Sequence, residues 1–251
     1  MSAPKDIDPT EEANTIVKVA QEKGVTLRVI GGVAIRLHCH GQHSKHLREY
    51  NDIDLFGLGK ENEGIRSVFE KMLYVPNVKY NMLYGRTRLQ FTHRETQKNV
   101  DVLLDKFIMD HTIDFRPNLG LDDLTIPITD LLLTKLQIMK LNEKDVKDIV
   151  AILEDHGLGY FNDHETLNLA YMAQLCSRDW GLHKKVTDNI RKMDNLTGIL
   201  GIEETANLKE KLDTILHTLT TTEKALNWRI RNLIGERVKW YNDIEAGEDE
   251  V

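Results

Sequence analysis

The stretch YNDIDLFGLG, Tyr50 to Gly59, sets two aspartates one residue apart inside an apolar run. Asp52 and Asp54 flank Ile53, and Leu55 and Phe56 follow. Such a run reads as a buried strand. Alternate strand side chains point to opposite faces, so the two carboxylates are expected to share one. Side by side they repel each other and are costly to desolvate. A bound cation would offset both costs.

Working outward, DPTEEANTIVKVAQEKG reads as a helix, with Asp8 as cap, Pro9 in the first position, Glu11 in a capping-box pattern and Gly24 as the stop. VTLRVI (Val25 to Ile30) reads as a strand running into Gly31-Gly32 and a short helical stretch, VAIRLH. Beyond the Asp-rich strand a helix is expected near Glu61 to Met72. TRLQFTH (Thr87 to His93) and NVDVLLD (Asn99 to Asp105) read as two strands joined through the polar RETQK, a hairpin signature. Mixed helix and strand signals up to about residue 110 indicate an α/β (α+β) domain with a mixed sheet.

After the loop RPNLGLDD the pattern turns helical. ITDLLLTKLQIMKL is one helix; EKDVKDIVAILEDHG is another, capped by Asn142 and stopped at Gly157. From about residue 163 to 244 only helices are expected, with turns at NLTGILG and TLTTTE. Leu208, Leu212, Ile215 and Leu219 keep the spacing of a buried stripe. The final helix, EKALNWRIRNLIGERVKWYNDI, interleaves Trp228, Trp240 and Tyr241 with Lys224, Arg229, Arg231, Arg237 and Lys239. Two readings fit it: an RNA-contacting surface, or an amphipathic core helix with a basic outer face. The tail EAGEDEV is acidic and is expected to be disordered. The expected division is residues 1–120 as the α/β domain and 121–251 as an all-helical C-terminal domain.

Bulk composition narrows the function classes. At 251 residues, 41% hydrophobic and 29% charged, the chain can bury a sizeable core. A formal charge of −7 argues against general nucleic-acid binding, although a local basic face is compatible with it. The only cysteines, Cys39 and Cys176, lie far apart without a CxxC, which disfavours a disulfide framework or a cysteine-rich zinc site. No apolar run approaches a membrane-spanning length and the N-terminal residues lack a signal-peptide core, so a cytoplasmic protein without membrane attachment is expected. The cluster His38, His40, His43 and His46 invites a zinc reading, but it has neither a helical HExxH pattern nor paired cysteines. The alternative is a mobile loop near the site.

Three features recur in order: VIGGVAI, NDIDLF and NVDVLL. Together they resemble the nucleotidyltransferase superfamily that includes DNA polymerase beta, especially its small prokaryotic antibiotic-modifying and AbiEii-like toxin branches. REYNDIDLF resembles the Arg-x-x-x-Asp-x-Asp stretch of these proteins. LTKLQIMKLNEKDVKDI resembles an AbiEii-like Lys-Leu-Gln helix followed by Lys/Arg-Asp-x-x-Asp. The resemblance covers roughly residues 25 to 155.

What it implies is specific. Asp52, Asp54 and Asp101 are the expected catalytic and metal-binding residues, holding two Mg²⁺ ions. Such ions, about 3.5–4 Å apart, clamp the entering and leaving oxygens of an in-line displacement and require hard carboxylate ligands. Asp101 would also help deprotonate the acceptor hydroxyl. Gly31 and Gly32 would let the NTP triphosphate approach the backbone, with N–H donors at the next helix start. Gly32 stands where a Ser is common in the family. Arg48 and Lys135 are candidates for the phosphate oxygens. Lys144 and Asp148 are i, i+4 neighbours, which a plain surface ion pair also explains. The implied acceptor is RNA or tRNA, a protein side chain, or a small hydroxylated molecule, and an antitoxin-like protein partner is compatible with the toxin branch. The alternative is a nucleotide- or partner-binding module on the same fold without turnover.

Overall fold

The computed structural model describes residues 7–39, 50, 52–202 and 205–242. Arg48, His40, His43, His46 and the acidic tail lie outside the described residues. The chain divides into two compact units. Among the described residues the first takes 7–39, 50, 52–107 and 114–127, and the second takes 108–113, 128–202 and 205–242.

The first unit runs α1 (Pro9–Glu22), β1 (Leu27–Ile30), α2 (Gly31–His38), β2 (Ile53–Gly57), α3 (Asn62–Lys71), β3 (Tyr74–Pro76), α4 (Val78–Tyr84), β4 (Arg88–His93) and β5 (Asn99–Leu104). The strands form one mixed sheet in the order β1-β2-β5-β4-β3. β2 and β5 are parallel, and the other pairs are antiparallel. The expected hairpin is β4–β5. At the outer edge of β1, the Val29 N–H donates to Leu124 O at 2.8 Å and Ile126 N–H donates to Val29 O at 3.1 Å.

The register gives the sheet two unlike faces. Leu27, Val29, Ile53, Leu55, Val100, Val102, Leu89 and Phe91 share one face and are all buried. α3 covers it: Phe69 stacks on Phe91 with ring centroids 4.1 Å apart, and Ile65 closes over Gly57. The opposite face carries Arg28, Asp54, Asp101, Arg88 and Gln90, with Phe56 meeting Phe115 at 5.6 Å toward one end. Period-two alternation therefore separates a dry face from a polar one.

Two elements of this unit went unrecognised in the sequence, β3 and α4. β3 ends at Pro76, which has no N–H to donate, and the Asn77 N–H just beyond it donates to Gln90 O at 2.9 Å. The Asn81 side chain takes over there, accepting from Gln90 N–H at 2.8 Å and donating to Gln90 O at 3.0 Å. A side-chain amide thus continues the edge pairing of β4.

The second unit comprises α5 (Ile128–Leu136), α6 (Glu143–Asp155), α7 (Leu169–Arg178), α8 (Trp180–Ile199), α9 (Ala206–Thr221) and α10 (Leu226–Ile234), plus a two-residue parallel pairing of Leu158–Gly159 with Leu167–Asn168. A mixed sheet followed by helices is the expected fold class. Asn142 caps α6 through a complete capping box with Asp145. Leu208, Leu212, Ile215 and Leu219 are buried as a stripe on α9.

The last helix differs from expectation. It stops at Gly235, which takes the left-handed φ of 60° that favours glycine, and does not continue through Tyr241. Trp240 instead packs edge-on against Trp180 at 5.7 Å and stacks on His111 at 5.7 Å. No residue of α10 is buried, so it is not the amphipathic core helix its spacing suggested.

Candidate active site

On adjacent parallel strands, Asp54 is the register partner of Asp101. Partners in a ladder leave the sheet on the same face, so these two carboxylates project side by side from the polar face. Both are half-buried, and their apolar neighbours Ile53, Leu55, Val100 and Val102 are buried on the other side. The alternation in NVDVLL and IDLF produces this arrangement directly. Asp52 lies just before β2 and is exposed, so ladder pairing does not fix its direction.

Gly31 follows β1 at once and opens α2 with a φ of 67°. A Cβ at this position would lie 2.7 Å from Asp54 Oδ2. Two constraints thus select glycine: the left-handed backbone and the close approach of a carboxylate oxygen. The half-buried Gly32 is next in line in the first turn of α2, and a helix start favours negative charge.

Arg88 was not anticipated. Its Nε donates to Asp101 Oδ1 at 3.1 Å, and its Nη2 lies 3.0 Å from Oδ2, a two-point pairing of guanidinium with carboxylate. Burial works against the arginine's charge, but Asp101, then Tyr80 and Asp54, outweigh it and raise its pKa above the ordinary value. The Tyr80 phenol, on α4, is raised as well, by burial first and by Asp101, while Arg88 opposes the shift. Arg88 is 37% exposed at its side chain and Asp101 18%, so the pair sits at the rim of the face. The alternation of TRLQFTH places Arg88 and Gln90 on one face, but only the hairpin register shows that this is the face of Asp101.

Lys135 belongs to the second unit. Its ammonium lies 3.1 Å from Asp145 Oδ1 and 2.9 Å from Asp148 Oδ2. Burial opposes the charge, yet Asp148 and then Asp145 raise the lysine's pKa. Asp148 is fully buried, so it serves this pairing rather than a surface contact with Lys144. Of the histidine cluster only His38 is described; its Nε2 meets Thr125 Oγ1 at 2.5 Å.

The donors suit a hard divalent cation. Asp54 and Asp101 offer carboxylate oxygens from adjacent strands, the ligand type Mg²⁺ prefers, and Gly31 leaves room for an anionic oxygen where any side chain would intrude.

No known family profile and no curated protein matches the chain. Among solved structures, it is similar to a lincomycin-bound lincosamide antibiotic adenylyltransferase, LnuA, at 17% identity, covering 56% of this chain and 94% of that one with a TM-score of 0.42. It is also similar to the antibiotic-resistance factor ANT(2'')-Ia at 12% identity, covering 59% and 85% with a TM-score of 0.39. Likeness this distant carries no functional assignment.

Proposed function

We propose that the chain is a Mg²⁺-dependent nucleotidyltransferase that moves NMP from an NTP to an acceptor hydroxyl and releases pyrophosphate. The observation supporting it is the register of Asp54 with Asp101 beside the glycine-opened helix α2. Asp54 and Asp101, joined by Asp52, are the proposed metal ligands. Bound there, Mg²⁺ supplies positive charge to the oxygens that gain negative charge during transfer.

The chain's own groups do the rest. Backbone N–H groups of Gly31 and Gly32 donate to phosphate oxygens, and Arg48 is a proposed phosphate contact. An Asp101 oxygen takes the proton of the acceptor hydroxyl as the hydroxyl oxygen attacks the α-phosphorus and pyrophosphate leaves. Lys135 is better supported as an internal tie between α5 and α6, because two carboxylates engage its ammonium.

The acceptor is RNA or tRNA, a protein side chain, or a small hydroxylated molecule, and an antitoxin-like protein partner is part of the proposal. The test is incubation with each α-labelled NTP and Mg²⁺, in separate arms with total RNA, with the protein alone, with a lysate, and with hydroxylated antibiotics. Label transfer with pyrophosphate release in one arm is expected. Absence of both label transfer and pyrophosphate release in every arm would overturn the proposal.

A further inference from the structure

The guanidinium of Arg88 already occupies Asp101 through two contacts, at 3.1 and 3.0 Å. Asp54 is the register partner of Asp101 on the same face, so the guanidinium sits beside a pair of carboxylates. Carboxylate oxygens that accept an arginine fork have fewer lone pairs for a second cation, and the arginine's charge repels it. Arg88 reaches this position from β4, a different strand from either aspartate, and its side chain is 37% exposed. It therefore has solvent into which it can swing.

We propose that Arg88 is a placeholder cation: it orients Asp101 and offsets one of the two negative charges of the Asp54–Asp101 pair until a divalent metal displaces it. This rests on the metal site proposed above. A residue that only supported the site structurally would weaken metal binding when removed. A placeholder does the reverse, because its removal takes away the competitor. The sign of the change is therefore diagnostic.

The experiment is calorimetric titration of the full chain with Mn²⁺, without nucleotide, on wild type, Arg88→Gln, Arg88→Lys and Asp54→Asn/Asp101→Asn. Arg88→Gln is expected to bind Mn²⁺ about tenfold more tightly than wild type. Arg88→Lys, which keeps the charge, is expected to stay near wild type, and the double aspartate variant to lose binding. Unchanged or weaker binding by Arg88→Gln, with the aspartates still required, overturns the placeholder and leaves the metal site standing. Binding by wild type that ignores the aspartates, or no binding by any form, overturns both.

A second readout needs no substitution. Phenylglyoxal labelling of Arg88 in the wild type, followed by peptide mass spectrometry, is expected to speed up severalfold when Mn²⁺ is added, as the guanidinium leaves Asp101. An unchanged rate under saturating Mn²⁺ contradicts displacement.

Discussion

Asp54 and Asp101 face the same side of the sheet from directly paired positions on β2 and β5, although 46 residues separate them in the chain. Two carboxylates brought together this way require compensation. In this structure Arg88 supplies part of it, through its two contacts with Asp101.

Replacing either aspartate by asparagine keeps the shape and removes the charge. Asp54→Asn and Asp101→Asn are each expected to lower NMP transfer about a hundredfold or more, since metal-ion charge stabilisation is worth several kcal/mol. The far-UV circular dichroism should stay unchanged. Steady-state transfer rates check this, and wild-type rates in either variant would remove that aspartate from the site.

Gly31→Ala tests the cradle. The new methyl would intrude on Asp54 Oδ2 and would hold a side chain at a φ of 67°. The left-handed conformation alone costs about 1–2 kcal/mol. A lowered urea midpoint together with weakened Mn²⁺ binding is expected; a variant as stable and as metal-avid as wild type would show that the close approach does not matter.

Lys135 offers a stability prediction in the second unit. Lys135→Met leaves Asp145 and fully buried Asp148 without their shared cation. Breaking a buried pair in this way costs about 3–5 kcal/mol. Adding Asp148→Asn should recover part of the loss, and chemical denaturation of the single and double variants measures both steps.

His183 sets a pH dependence. Burial first, then nearby Lys224, pushes its pKa down from 6.5 to about 4, while Nε2 stays 3.2 Å from Leu219 O. The unfolded chain therefore binds the extra proton more readily than the folded one between these values. This contribution to stability is present above about pH 6.5 and is lost as pH falls toward about 4. Urea midpoints measured across that range should fall with acid, and His183→Gln, which retains a donor, should flatten the slope. A variant with the wild-type slope would exclude His183 as its source.

The sequence revealed this fold unevenly. Alternation in NVDVLL and TRLQFTH, and a clean cap such as Asn142, could be read directly because each depends on local spacing. Arg88 could not be placed, because the loop RETQK leaves more than one hairpin register open and a one-residue slip reverses every side chain. β3 and α4 were hidden because YVP is too short to show a period and Asn81 imitates a strand partner from within a helix. The overlong final helix had a different cause: its basic and aromatic spacing outweighed Gly235, whose positive φ ends the helix.

The most direct test is a crystal structure of the chain with a non-hydrolysable NTP and Mg²⁺. The account predicts a metal ion held by oxygens of both Asp54 and Asp101 at about 2.1 Å. The triphosphate should lie against the Gly31–Gly32 turn and the Arg88 guanidinium should be off Asp101. Nucleotide bound elsewhere, with Arg88 still on Asp101 and no metal between the two carboxylates, would contradict it.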